Sequence, residues 1–310
     1  APDAPLLRER FPGNLCYTVA KGDRAATEAA FAAAAHVVRV AHTNQRLVAA
    51  PIEPRACIGA FDAATRRFTL TANAGKPHQI RRTHARFVLG VAEDAIRVIA
   101  PDIGGGFGAK NVLYPEQILV LWAARRLGRP VRWVQDRSEV FLSDMQGRGQ
   151  HNVGELALDA EGRVLAIRVR SIADLGAHLG PRAVIPTLSG LKLYGGVYRI
   201  GAADLELRAG FSNTVPTCPY RGAGHPEAIL LLERLMEEAA RRMGVTGEEI
   251  RRRNLVPAAA MPWRAAVGVT YDSGDYAAAM DRALSLADSP GLASMRARNW
   301  SRPKMAASRC

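Results

Sequence analysis

The chain has 310 residues, 48% of them apolar, 23% charged and only 6% aromatic, with a formal net charge of +13. That length holds about two ordinary domains, and the composition is that of a globular protein rather than a disordered or fibrous one. There is no apolar run of the roughly 18 residues that span a bilayer, and the polar, proline-punctuated start APDAPLLRERFPGN lacks the apolar centre of an export signal.

Residues 1–24 read as an extended linker. Asp23-Arg24 leads into a short helix over 25–35, followed by a strand over 36–42. Residues 67–72 alternate as a strand does, and Pro77 opens a helix with Ile80, Phe87, Val88 and Leu89 as its apolar positions before Gly90 stops it. A short buried-type strand over 95–100 runs into the cluster Gly104-Gly105-Gly106-Phe107-Gly108. An amphipathic helix over 115–127, with Ile118, Leu119, Leu121 and Trp122 as its apolar side, ends in Arg125-Arg126 and Gly128, as the helix dipole favours. A strand follows over 131–135.

Residues 152–158 and 164–172 form the best hairpin, turning at Asp159-Ala160-Glu161-Gly162 with glycine where a positive φ is wanted. A strand over 203–208 precedes the longest helix, 225–243, with Ile229, Leu232, Leu235, Met236 and Ala239 on one face and Gly244 as its stop. Short helices over 246–253 and 276–286 complete the pattern, and 289–310 reads as an irregular tail. Strands and helices mix without strict alternation, which favours α+β over a doubly wound sheet. There is no internal repeat.

Four cysteines, Cys16, Cys57, Cys218 and Cys310, stand without C-x-x-C spacing, so no zinc ribbon or iron–sulfur cradle is expected and reduced thiols in a cytoplasmic protein are. The positive charge is mostly arginine on expected helices, as in Arg81-Arg82, Arg241-Arg242 and Arg251–Arg253. Solvated helix faces explain this better than a nucleic-acid surface, which would need interleaved aromatics. An anionic cofactor or acidic partners are further uses for it.

Two segments carry chemistry. In the cluster 104–108, glycines allow successive N–H groups to point one way, forming a nest for anionic oxygens. Gly104–Ala109 also satisfies G-x-G-x-x-A, but a dinucleotide turn opens directly into its helix, whereas Asn111–Tyr114 intervene here. No acidic residue ends a second strand at the expected distance of roughly 20 residues. The second segment, Pro219-Tyr220-Arg221-Gly222-Ala223-Gly224-His225-Pro226-Glu227-Ala228, is a glycine-punctuated loop entering the long helix. Its helix N-terminus and arginine both favour an anion.

Taken together, Ala100–Lys110, Val131-Arg132-Trp133, Arg137-Ser138-Glu139 and Pro219–Ala228 resemble the molybdopterin-binding large subunit of the molybdenum hydroxylases, the xanthine dehydrogenase, aldehyde oxidase and carbon monoxide dehydrogenase family. Asn44–Val48, Ile52–Arg55, Arg251–Asn254 and Tyr271–Asp275 fit in the same order. The resemblance covers about 24–290 and implies an α+β molybdopterin-binding domain over 25–288, in two lobes that divide near 145–150. It further implies a chain truncated at both ends relative to the family.

The resemblance makes Gly105, Gly106, Phe107, Gly108 and Arg221 cofactor-binding and makes Tyr220, Gly222 and Ala223 the substrate pocket. The cofactor would be molybdopterin cytosine dinucleotide with molybdenum. The reaction would be hydroxylation with oxygen from water, and electrons would leave through 2Fe-2S clusters on a small subunit to FAD on a medium subunit. Three departures stand out. Gly75, followed by Lys76, occupies the place of the family's glutamine before Pro77-His78. Gly222 stands where carbon monoxide dehydrogenases carry a copper-bridging cysteine, with Cys218 preceding the Tyr-Arg pair. The family's general-base glutamate is expected beyond the C-terminus, leaving the chain inactive alone, and Glu53, Glu116 and Glu139 read as structural. The alternatives are a non-catalytic remnant, a dinucleotide-binding oxidoreductase using Gly104–Ala109, and a basic nucleic-acid binder.

Overall fold

A computed structural model describes residues 4–180, 182–288 and 291. The elements run β1 (Leu15–Gly22), α1 (Arg24–Ala32), β2 (His36–Asn44), β3 (Leu47–Val48), β4 (Ala56–Asp62), β5 (Arg67–Ala72) and α2 (Pro77–Thr83). Next come β6 (Ile96–Ile99), α3 (Pro115–Leu127), β7 (Val131–Val134), α4 (Arg137–Ser143), β8 (Gln146–Gly147), β9 (Gln150–Leu158) and β10 (Val164–Asp174). The rest is α5 (Val184–Gly190), β11 (Ala202–Gly210), α6 (His225–Met243), α7 (Gly247–Asn254), β12 (Trp263–Arg264), β13 (Thr270–Tyr271) and α8 (Tyr276–Leu286). The tail expected over 289–310 lies outside the described residues apart from 291.

Two mixed sheets organise this α+β fold. The larger has the order β1-β11-β10-β9-β2, parallel only between β10 and β11. The smaller has the order β6-β5-β4-β7, parallel only between β5 and β6. The chain makes β1 and β2 of the larger sheet, departs to build the whole smaller sheet, and returns at β9 to pair with β2, Asn44 opposite Gln150. The passage near 145–150 is therefore the second of two crossings between lobes. Residues 25–44, expected in the first lobe, supply β2 to the sheet of the second and the helix α1 packed on it.

Alternating side chains let the larger sheet bury both faces. Leu156 and Leu158 of β9 join the core under α6, while Ala157 faces the other way with Ala166, Ala202 and the α1 residues Ala30 and Phe31. Helix α6 lies close because β9 carries Gly154, where a Cβ would sit 2.7 Å from Leu235 Cδ1. Its buried stripe is Ala228, Leu231, Leu232, Leu235, Met236 and Ala239, each large side chain stabilising by about 1.5–3 kcal/mol. Ile229, expected in that stripe, points outward, because a turn of about 100° per residue carries the stripe from 228 to 231 and 235 instead. Helix α3 departs similarly. Val120, Leu121 and Ala124 are buried on the smaller sheet, while Leu119 and Trp122 are exposed, as are Phe87 and Val88 after α2.

The N-terminal stretch is the main correction. Leu15–Gly22, expected as linker, is an edge strand antiparallel to β11 from Leu15–Gly210 to Gly22–Asp204. Backbone pairing to a strand almost two hundred residues away orders it. The arginine cluster at 251–253 is engaged in ion pairs. Arg251 pairs with Glu233 and Glu237, Arg252 with Glu248 and Asp281, and Arg253 with Glu249.

Candidate functional site

Strand β6 delivers the glycine loop to the seam between the lobes, where Glu53 shapes it. Gly104 N–H donates to Glu53 Oε2 at 2.7 Å, Glu53 N–H donates back to Gly104 O at 3.1 Å, and buried Lys110 closes the clamp from Nζ to the same carboxylate oxygen at 2.8 Å. Burial works against ionisation of Glu53, but the Lys110 ammonium and the Gly104 N–H outweigh it and hold the carboxyl below its ordinary value. Gly105, Phe107 and Gly108 take φ values of 90°, 47° and 105°. The alternation of handedness over Gly105, Gly106 and Phe107 is of the kind that lines up successive N–H groups. Among the described residues, the N–H groups of Gly106, Phe107 and Gly108 donate to no protein acceptor.

The second loop precedes α6. Gly222, Ala223 and Gly224 all have positive φ, and Ala223 N–H closes a turn onto Tyr220 O at 2.8 Å. The two loops meet at atomic distance. Arg221 N–H donates to Phe107 O at 2.9 Å, and the Arg221 guanidinium carbon lies 5.7 Å from the Phe107 ring centroid. Gly108 packs so tightly under Pro219 that a Cβ would sit 2.0 Å from the Pro219 carbonyl oxygen. Phe107 and Arg221 are exposed, and Tyr220 is half-buried. Gly105, Gly106, Phe107, Gly108, Tyr220, Arg221, Gly222 and Ala223 thus lie on two touching loops.

A third strand of backbone borders this place. Gly75 N–H donates to Lys110 O at 3.1 Å, and a Cβ at Gly75 would lie 2.0 Å from Asn111 Oδ1. The Asn111 carboxamide therefore fills the space beside Gly75. Cys218 packs with Val112, Tyr114 and Met145, and burial pushes its thiol up to about 12, so it remains protonated near neutrality.

The three glutamates raised by the sequence are all engaged in the scaffold. Glu53 holds the glycine loop, Glu116 pairs with Arg55, and Glu139 forms a capping box with Asp136 at the start of α4. Arg55 also donates from Nε to Asp144 at 3.0 Å and lies 3.5 Å from the Tyr114 ring centroid. Sequence reasoning missed Lys110, Asn111 and Arg148. The tripeptide Gly147-Arg148-Gly149, small residues around one cation, was the available signal for the last of these.

The dinucleotide reading fails on geometry. After Gly108 comes a single 3-10 turn over Ala109–Asn111, then extended Val112, with α3 starting only at Pro115, and the sheet is largely antiparallel.

Residues 7–255 match the molybdopterin cofactor-binding domain family. The chain belongs to that family. This molybdopterin-binding domain is 33% identical over 93% of its length to the carbon monoxide dehydrogenase large chain of Hydrogenophaga pseudoflava, covering 38% of that protein. It is 35% identical over 85% of its length to the nicotine 6-hydroxylase large subunit of Paenarthrobacter nicotinovorans, covering 32% of it. Quinoline 2-oxidoreductase from Pseudomonas putida 86 superposes with a TM-score of 0.88 at 33% identity, over 93% of this chain and 37% of that one. The molybdopterin-binding domain thus spans less than two fifths of the length of these relatives. No helix among the described residues is long and apolar enough to cross a membrane.

The residues present fit the cofactor class. The N–H groups at 106–108 have no acceptor among the described residues, nor the Arg221 guanidinium an acidic partner, so the two touching loops carry several uncommitted donors. Such donors complement an anionic, oxygen-rich group.

Proposed function

We propose that this chain is the molybdopterin-binding portion of an aldehyde, xanthine or carbon monoxide dehydrogenase-type oxidoreductase that hydroxylates a carbon centre with oxygen from water. The observation that carries the reading is the contact between the Phe107 and Arg221 turns, which brings together two donor-bearing loops from different lobes. When bound, molybdopterin cytosine dinucleotide with molybdenum supplies the redox chemistry.

The work of the chain is positioning and electrostatics. The N–H groups of Gly106, Phe107 and Gly108, on a loop opened by Gly105, hold oxygen atoms of the cofactor, and Arg221 adds a fixed positive charge beside them. Tyr220, Gly222 and Ala223 shape the adjoining substrate pocket, and Gly222 lets the loop turn there at φ 97° against the Pro226 ring, where a Cβ would lie 2.8 Å from Pro226 Cδ. Glu53, Glu116 and Glu139 are committed to the scaffold, so the general base comes from another part of the assembly, and turnover by this chain alone is not expected. Copper bridging has no place in the proposal, since Cys218 is a packing residue. The partners are a medium subunit with FAD and a small subunit with 2Fe-2S clusters, in the cytoplasm, where Cys16, Cys57 and Cys218 stay as free thiols.

Molybdate serves as an oxyanion probe in an amide NMR titration of the full chain. Shifts are expected at Gly106, Phe107, Gly108 and Gly222, with affinity falling about ten- to a hundredfold in Arg221→Ala, the value of a charge-assisted hydrogen bond. Shifts scattered over surface arginines and indifferent to Arg221→Ala would overturn the reading.

A further inference from the structure

The proposed site needs two backbone loops held together, and the second loop has an anchor that the reaction does not use. Arg148 follows β8 in the seam between the lobes with φ 63°. Its guanidinium donates from Nη1 to Tyr220 O at 3.0 Å and from Nη2 to Arg221 O at 2.9 Å. The same Nη1 lies 3.4 Å from both carboxylate oxygens of Glu227 on the first turn of α6. The guanidinium carbon is 4.7 Å from the Tyr220 ring centroid. The side chains of Arg148 and Glu227 are 10% and 1% exposed. Tyr220 seats directly on the neighbouring residue, since a Cβ at Gly147 would lie 2.2 Å from Tyr220 Cβ.

We infer that Arg148 is a positioning residue that sets which way the Tyr220–Gly222 peptides face. The inference rests on the proposed function, because the orientation matters only if the site receives an anion. In a trans peptide the C=O and the following N–H point in opposite directions. One guanidinium draws in the carbonyls of both Tyr220 and Arg221, so the N–H groups of Arg221 and Gly222 are turned away from it. The first of these reaches Phe107 O at 2.9 Å and locks the loops together. The second, on Gly222, has no acceptor among the described residues and is left free to donate beside the Phe107 turn. The planar fork is essential to this arrangement. A lysine ammonium supplies the charge that Glu227 requires but not two parallel donors at fixed spacing.

Amide hydrogen exchange on the full chain tests the inference without any cofactor. In Arg148→Lys, exchange at Arg221 is expected to rise tenfold or more while the amides of β9, β10 and β11 keep their protection. Glu227→Gln keeps the fork but weakens its anchor and is expected to give a smaller rise at the same amide. In the molybdate titration, Arg148→Lys is expected to lose the Gly222 response and retain those of Gly106–Gly108. Native-like protection of Arg221 in the lysine variant would overturn the inference, because charge alone would then suffice. A uniform rise across the sheet would also overturn it, by reducing Arg148 to a general stabiliser. If molybdate fails to bind the unmutated chain, the proposed function falls, while the exchange data still decide whether Arg148 orients the loop.

Discussion

Gly108→Ala and Gly106→Ala add the same methyl group two residues apart and should behave very differently. At Gly108 the backbone has φ 105°, and the new Cβ would stand 2.0 Å from the Pro219 carbonyl oxygen and 2.9 Å from its carbon, both backbone atoms of the facing loop. Positive φ in a residue with a side chain costs about 1–3 kcal/mol. Relieving the clash separates the loops and removes the bond from Arg221 N–H to Phe107 O, worth about 0.5–1.5 kcal/mol. The sum is about 3 kcal/mol, which in a domain of this size lowers Tm by roughly 6–12 °C. At Gly106 the nearest atom to a new Cβ is Lys110 Cβ at 3.5 Å, an ordinary contact, and φ is not positive. That variant should stay within about 0.5 kcal/mol of the parent. Urea unfolding followed by circular dichroism measures both. Equal destabilisation of the two variants would refute the claim that the loops touch through Gly108.

Three further outcomes are expected. Arg55→Ala leaves buried Asp144 and half-buried Glu116 without their cation and should cost about 3–5 kcal/mol in a denaturant titration, more than either glycine variant. Burial pushes His84 down to about 4, so the unfolded chain binds a proton between pH 6.5 and 4 that the folded one does not. The His84 contribution is thus present above pH 6.5 and lost as pH falls toward 4, up to about 3 kcal/mol, and His84→Met should flatten that slope. Burial also pushes the Cys57 and Cys218 thiols up to about 12, so mass mapping after alkylation at pH 8 should find both unmodified in the native chain and modified after unfolding. Their stabilising effect is complete below pH 9 and declines as pH rises toward 12.

Signals that act within one turn of chain were legible in the sequence. Pro115 and Gly128 bound α3, Gly244 ends α6 and Gly162 turns the β9–β10 hairpin, because each is a local backbone requirement. The two site loops were legible for the same reason, since residues with positive φ cluster where glycine does. Strand β1 was not, because its partner lies in β11 and its half-exposed residues LCYTVAKG carry no local mark. Helix α4 did carry one, the Asp136 and Glu139 capping box, which went unused. The outward faces of α3 and α6 show where periodicity alone misleads, since several adjacent apolar stripes are possible and only packing selects one. The clamps by Glu53 and Arg148 join residues 51 to 79 positions apart, and no spacing rule reaches that far.

Asn44 and Gln150 face each other across one rung of the larger sheet, and everything between them is built outside it. The smaller lobe is in effect a guest with both ends fastened at one doorway, and Arg46 bolts that doorway by gripping Gln146, Asp174 and the Val215 carbonyl together. Guest and host each bring one of the two touching loops, so the proposed cofactor site is complete only with both in place. The proposed site therefore depends on a rung of the larger sheet that neither of its loops touches: the pairing of Asn44 with Gln150 sets where residues 45–149 leave and return.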